Sequence, residues 1–256
     1  MNTLTELIYL LPEDMKTNKF LIIIAYYNRP KIVLNALESI MKLDYDNFEV
    51  CFIDDGSHNL GEPIVREFCD LIINKFKFKY INNTIEDKKK QGGSVHGKYM
   101  NDAILESNAD VVIVLCDDDA LFPNYLTNLN NYFNNNPNSY WCYSHVKFYD
   151  PTNQHYLEST ETPSNPNFNT SNLNAYTSPI SPSCKVDGAQ VAFRRDAFVE
   201  ANIWYPYPQT QDCDRYVFEK MITYWGMCNF LGDYGQYKGW FENQLGVKVK
   251  TNREKY

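Results

Sequence analysis

The run Phe20-Leu21-Ile22-Ile23-Ile24-Ala25 is apolar at every position and rich in β-branched residues. That is the pattern of a strand buried on both faces of a parallel sheet. Beyond Pro30, apolar residues return at Val33, Leu37, Ile40 and Met41, so the first unit reads strand, short loop, helix. A second strand is expected over residues 48–53, followed by a helix marked by Ile64, Phe68, Leu71 and Ile72. A short third strand falls at 76–81. After the polar stretch 82–93, a helix through Met100, Ala103 and Ile104 feeds a strand at 111–115. In the second half, 141–148 and 185–193 have strand character, and Val217, Met221, Tyr224 and Trp225 mark a helix entered through Gln211-Asp212-Cys213-Asp214. Between them, 158–184 is polar, contains Pro163, Pro166, Pro179 and Pro182, and shows neither period; a loop of this length is a functional lid or poorly ordered.

Repeated alternation of strand and helix predicts an α/β fold: a Rossmann-like, mostly parallel sheet flanked by helices, with ligands outside the carboxyl ends of the strands. Two acidic clusters sit at such ends, Asp54-Asp55-Gly56-Ser57 and Asp117-Asp118-Asp119. No internal repeat and no sharp composition break divides the chain, which reads as a single domain.

Composition narrows the partners. The 256 residues carry a formal charge of −8, which argues against nucleic acid, whose phosphates are bound by Lys and Arg. With 44% hydrophobic and 22% charged residues, the chain can build a real core and is not disordered. No stretch approaches the length of a membrane span, and residues 1–19, with Glu6, Glu13 and Asp14, do not resemble a signal peptide. The seven cysteines are odd in number, widely spaced and without a C-x-x-C pair, so free thiols in a reducing, cytoplasmic compartment are expected rather than a zinc ribbon. The excess of Asn, Lys, Ile, Tyr and Phe suggests an AT-rich genome, bacterial or viral; without a membrane anchor, the expected location is the cytoplasm of a cell or an infected host.

Three consecutive carboxylates at the end of an apolar strand repel one another and lose hydration, so something positive must compensate. Oxygen-only ligands select a hard divalent ion, Mg²⁺ or Mn²⁺, which keeps waters and shares substrate phosphates with one or two carboxylates. The alternative is a solvated acidic turn; for Asp54-Asp55-Gly56-Ser57 it is a turn with a helix N-cap. The Asp triplet lacks the alternate acidic positions and central Gly of a calcium loop.

Five motifs in order resemble a known family. They are Ile24-Ala25-Tyr26-Tyr27-Asn28-Arg29-Pro30; Phe52-Ile53-Asp54-Asp55-Gly56-Ser57; Leu115-Cys116-Asp117-Asp118-Asp119 with Pro123; Val186-Asp187-Gly188-Ala189 with Phe193-Arg194-Arg195; and Gln211-Asp212-Cys213-Asp214. From Phe20 to Trp225 the chain resembles the nucleotide-sugar glycosyltransferases of the GT-A fold, family 2. The resemblance implies a metal-dependent, inverting transfer from a nucleoside diphosphate sugar, a UDP-sugar first, to an acceptor hydroxyl of a glycan or other molecule. It implies that Ala25, Tyr27 and Asp55 line the nucleoside pocket, with Asp55 accepting from the base and Tyr27 packing on it. Asp117 falls near the ribose and Asp118 on the metal, with Asp119 a second metal candidate, because this chain has Cys116 where a carboxylate is commoner. Asp212 resembles the general base; the alternative for Asp212 and Asp214 is helix N-terminal charge favoured by the macrodipole. Asp187 falls by the donor sugar or acceptor, or caps a turn with Gly188.

Arg29 and Lys98 are the expected diphosphate cations. Arg194 and Arg195 are further candidates that relatives use structurally, Lys88 to Lys90 read as a solvated run, and His96 reads as a surface loop residue. None of His58, His96, His145 or His155 lies in the C-terminal part, where many relatives supply a metal-binding His, so metal binding without the donor is expected to be weak. By this resemblance the chain divides into an extension (1–19), a nucleotide-sugar half (20–120), an acceptor half (121–230) and a tail or lid (231–256). A nucleotidyltransferase or dehydrogenase would need a Gly-rich phosphate loop after the first strand, and residues 25–31 contain no Gly. The non-enzymatic alternative is a catalytically inactive nucleotide-sugar or glycan-binding module.

Overall fold

The computed structural model describes residues 16–57, 62–73, 75–90, 96–152, 155–158, 187–207 and 213–239. The first half is β1 (Phe20–Tyr26), α1 (Val33–Met41), β2 (Phe48–Asp55), α2 (Glu62–Ile73), β3 (Lys77–Asn83), α3 (Ile85–Lys90), α4 (His96–Glu106) and β4 (Val111–Cys116). The second is β5 (Ala120–Leu121), α5 (Tyr125–Asn135), β6 (Trp141–Tyr149), β7 (Val191–Arg194), α6 (Arg195–Glu200), α7 (Cys213–Trp225) and β8 (Asn229–Gly239).

These strands form one sheet in the order β3-β2-β1-β4-β7-β6-β8-β5. β3, β2, β1 and β4 run parallel; β7 turns antiparallel against both β4 and β6. Because side chains alternate across a strand, β1 feeds two cores. Phe20, Ile22, Ile24 and Tyr26 pack with α1 and α5, while Leu21 and Ile23 pack with α4, α6 and α7. Ile22, Ile23 and Ile24 are wholly buried, each contributing roughly 1.5–3 kcal/mol of apolar burial. This two-sided demand is why the strand reads as an unbroken apolar run.

β1 is flanked by β2 on one side and β4 on the other, so the strand order reverses at β1. A crevice opens at such a switch point, beyond the carboxyl ends of the strands. In-register pairing sets Tyr26 beside Asp54 and Ala25 beside Cys116.

Three expectations are corrected. Residues 187–190 are not strand: Asp187 caps a single 3-10 turn, Gly188–Gln190, accepting from the Ala189 N–H at 3.0 Å while Gln190 reaches back to the Asp187 N–H. Asp and Gly supply turn chemistry that outweighs the apolar neighbours; Lys185 and Val186 lie outside the described residues. The polar stretch after β3 contains the short helix α3, with Glu86 and Asp87 in its first turn, where the helix dipole favours them. Residues 231–239, expected to begin a tail or lid, belong to β8, which pairs with β6 and β5. Gly232, Gly235, Gly239 and polar residues interrupt its apolar pattern, so the strand is held by its neighbours rather than by an amphipathic period.

Candidate active site

Two turns at the crevice interlock. After β1 the chain reverses through Asn28, whose φ of 54° lies in the left-handed region that Asn tolerates better than most residues. The Tyr27 N–H then donates to Asp117 Oδ2 at 3.1 Å, and the Asn28 N–H donates to Ser57 Oγ at 2.9 Å. After β2, Gly56 takes φ 76°, and the Ser57 N–H closes the turn onto Asp54 Oδ1 at 2.9 Å. One loop is thus stapled to both acidic clusters. Between them, the Tyr26 phenol is pushed up to about 12 by burial, then by the charges of Asp54 and Asp117.

On the β2 side, Asp54 and Asp55 are buried and point to different partners. Asp54 accepts from the Tyr80 hydroxyl at 3.1 Å, and Asp55 accepts from Asn83 Nδ2 at 3.1 Å. His96 Nδ1 lies 3.7 Å from Asp55 Oδ2. His96, expected on a surface loop, instead opens α4 against this carboxylate. Tyr27 is 44% exposed at the same mouth, and Ala25 is half-buried beneath it.

The Asp triplet is buried throughout. Arg29 Nη1 bridges Asp117 Oδ1 at 2.9 Å and Asp118 Oδ2 at 2.8 Å. Asp119 is wholly enclosed: its Oδ1 accepts from the Gly239 N–H at 3.0 Å and its Oδ2 faces Lys238 Nζ at 3.0 Å. Lys238 also reaches Asp187 Oδ1 at 3.2 Å. Burial raises Asp117 to about 7 against the pull of Arg29, and raises Asp119 to about 8 against that of Lys238. Asp187 is pulled below the ordinary range because Lys238 and the Ala189 amide outweigh its burial. Lys238 itself is raised, the carboxylates of Asp119 and Asp187 outweighing its burial.

One contact from β6 and one from β8 close on the triplet. The Tyr149 hydroxyl donates to the Asp118 carbonyl at 3.0 Å, and a Cβ on Gly239 would overlap that carbonyl oxygen, so only glycine admits this approach. Phe122 stacks on Tyr237 with centroids 4.0 Å apart.

Lys98 pairs with Asp102 one turn along α4 and lies over the Tyr99 ring. Arg194 donates to the Ser139 and Phe133 carbonyls, and Arg195 to those of Ile104 and Leu105; both tie elements together. Asp212 lies outside the described residues. Asp214, in the first turn of α7, is raised by burial and then by Asp187. Cys51, Cys142 and Cys228 are buried free thiols, and Cys116 and Cys213 are half-buried ones. No local motif in the sequence marks Lys238, Asn83 or Tyr149, because each meets its partner only in the assembled sheet.

The residues present fit a hard divalent ion. Among the described residues, the carboxylates of Asp117, Asp118, Asp119, Asp187 and Asp214 outnumber the cations that act on them, Arg29 and Lys238. The Cys116 thiol and the carboxylates of Asp119 and Asp187 bring their ligand atoms within 4.8 Å of one another. An oxygen-rich wall with surplus negative charge suits Mg²⁺ or Mn²⁺.

A single α/β domain with acidic turns meeting across its switch point has the GT-A architecture of its solved neighbours. TarS of S. aureus, residues 1–349 in complex with UDP-GlcNAc, superposes with a TM-score of 0.64 at 16% identity, over 88% of this chain and 60% of that one. The mannosyltransferase PcManGT of Pyrobaculum calidifontis, in complex with GDP-Man and Mn²⁺, gives 0.63 at 14% identity, over 95% and 63%. At such identities the likeness shows the fold. The family model for glycosyl transferase family 2 matches residues 21–200; the chain belongs to glycosyltransferase family 2. Protein CgeD of Bacillus subtilis (strain 168) is 22% identical over 129 residues, half of this chain but 29% of CgeD. The chain therefore spans under a third of that relative and about three fifths of the TarS chain. Among the described residues no helix is long and apolar enough to cross a membrane.

Proposed function

We propose that this chain transfers a glycosyl group from a nucleoside diphosphate sugar to an acceptor hydroxyl, with inversion and in the presence of Mn²⁺ or Mg²⁺, in the cytoplasm. The carrying observation is the convergence of the two acidic turns on the loop after β1, through Tyr27 to Asp117 and Asn28 to Ser57. That loop offers an exposed aromatic face at Tyr27 and a guanidinium at Arg29, beside a fixed carboxylate at Asp55 on the end of β2.

Each side chain has a defined task in this reading. Asp55, held by Asn83, accepts an N–H from the base, a donor that the UDP and GDP sugars of the solved neighbours carry. Tyr27 packs on the base above Ala25, and Asp117 orients the ribose. Arg29 and Lys98 balance diphosphate charge, and Asp187 faces the donor sugar or the acceptor. Asp118, with the enclosed Asp119 only a second candidate, is the residue that would hold the divalent ion, which when bound neutralises charge on the leaving diphosphate. Asp212 takes the proton of the acceptor hydroxyl as its oxygen bonds to the anomeric carbon. The bond from that carbon to the diphosphate oxygen breaks in the same displacement, releasing the nucleoside diphosphate.

The test compares native chain and Asp212→Asn with a panel of nucleotide sugars and Mn²⁺, reading donor binding and donor hydrolysis separately. We expect the variant to bind donor as the native chain does and to lose at least a hundredfold in turnover, the scale of general-base catalysis. A native chain that binds a donor yet neither transfers nor hydrolyses it is a nucleotide-sugar-binding module instead.

A further inference from the structure

Lys238 sits two residues from Gln236 on β8, so both side chains leave the same face of the strand. Gln236 Nε2 donates to the Val114 and Ala189 carbonyls. Lys238 reaches Asp119 at 3.0 Å and Asp187 at 3.2 Å, with a side chain only 12% exposed. β8 therefore clamps the turn at residues 187–190 against the end of β4, and its lysine stands between the triplet and Asp187.

We infer that Lys238 is a resident cation of this site: its ammonium group occupies the place between Asp119 and Asp187 that a divalent ion would otherwise bridge. The geometry supports this. A small divalent ion sits about 2.1 Å from each carboxylate oxygen, so two oxygens it bridges lie at most ~4.2 Å apart. The Asp119, Asp187 and Cys116 ligand atoms already lie within 4.8 Å of one another, and a small side-chain shift closes the difference. A primary ammonium and a divalent ion repel strongly at such range, so one excludes the other. With Lys238 in place, the neighbouring Asp118 is the carboxylate through which an ion engages the triplet, and the donor's diphosphate must complete its coordination. Donor-free metal binding is then weak because of a built-in lysine, beyond the lack of a C-terminal histidine. The inference rests on the reading of the site given above and assigns Lys238 as a positioning residue for it.

The experiment measures Mn²⁺ binding by electron paramagnetic resonance, without nucleotide, in the full chain. Lys238→Gln is expected to bind Mn²⁺ at least tenfold more tightly than the native chain. Lys238→Arg, which keeps the cation, should stay within about threefold of native, and Lys238→Gln with Asp187→Asn should lose the gain because one bridging carboxylate is gone. If Lys238→Gln binds Mn²⁺ no tighter than native, or if the gain survives Asp187→Asn, the inference is overturned. Should Lys238→Gln fail to fold in metal-free buffer, recovery of folding that scales with the logarithm of Mn²⁺ concentration supports it by mass action. A chain that stays unfolded at millimolar Mn²⁺ overturns it. No donor enters this measurement, so it can fail while glycosyl transfer stands, and absence of donor binding in the native chain would remove the proposed function while leaving the lysine result intact.

Discussion

Arg29→Met is the sharpest test of how the acidic wall is held. Its guanidinium nitrogen is the shared partner of Asp117 and Asp118, whose side chains are 8% and 5% exposed. Methionine keeps much of the packing volume and removes the charge. Removing one partner of a buried ion pair costs about 3–5 kcal/mol, because the remaining charge is left uncompensated. For a chain of this size that corresponds to a fall in Tm of roughly 6–20 °C. The loss has a predictable pH dependence. Folded Asp117 holds its proton up to about pH 7, against an ordinary value of 3.8. A raised carboxyl means that stability falls as pH climbs from the unfolded value to the folded one, then levels off. Arg29 pulls the folded value down, so its removal moves that value above 7. The native chain's Asp117 contribution is then level above pH 7, while the variant keeps losing up to about 1.4 kcal/mol per pH unit. Asp119, raised to about 8 by burial and set against Lys238 rather than Arg29, largely cancels in the comparison. Urea unfolding of both proteins in EDTA from pH 6.5 to 9 reads the difference. A deficit below about 1 kcal/mol at pH 9, or one that does not grow above pH 7, would refute the pairing argument.

Two further substitutions probe either side of the crevice. Gly239→Ala should lower stability by roughly 1–3 kcal/mol, the usual cost of overpacking, because its new Cβ meets the Asp118 backbone, which cannot rotate away as a side chain would; an unchanged thermal unfolding midpoint would contradict this. Asp55→Asn keeps an oxygen for Asn83 but removes a charged acceptor worth about 1.5–3 kcal/mol, so nucleoside diphosphate affinity by calorimetry should fall about ten- to a hundredfold. Equal affinity would take the base away from Asp55.

Much of this was legible along the chain. The unbroken apolar run of β1 announced burial on both faces, and Asp54-Asp55-Gly56-Ser57 and Asp117-Asp118-Asp119 announced polar chemistry at strand ends, because burial and turn formation are local demands written in consecutive residues. The alternation of strands and helices even implied that both clusters share one edge. The sequence was silent on which cations face those carboxylates. Arg29 belongs to a recognisable motif, but Lys238 follows Asp119 by 119 positions inside a Gly-interrupted strand with no period to mark it. Its meeting with Asp119 and Asp187 depends on β8 pairing with both β5 and β6. Local pattern determines which elements form and which ends carry charge; only the order of strands in the finished sheet decides which charge stands opposite which, since electrostatic pairing depends on distance in space and not along the chain.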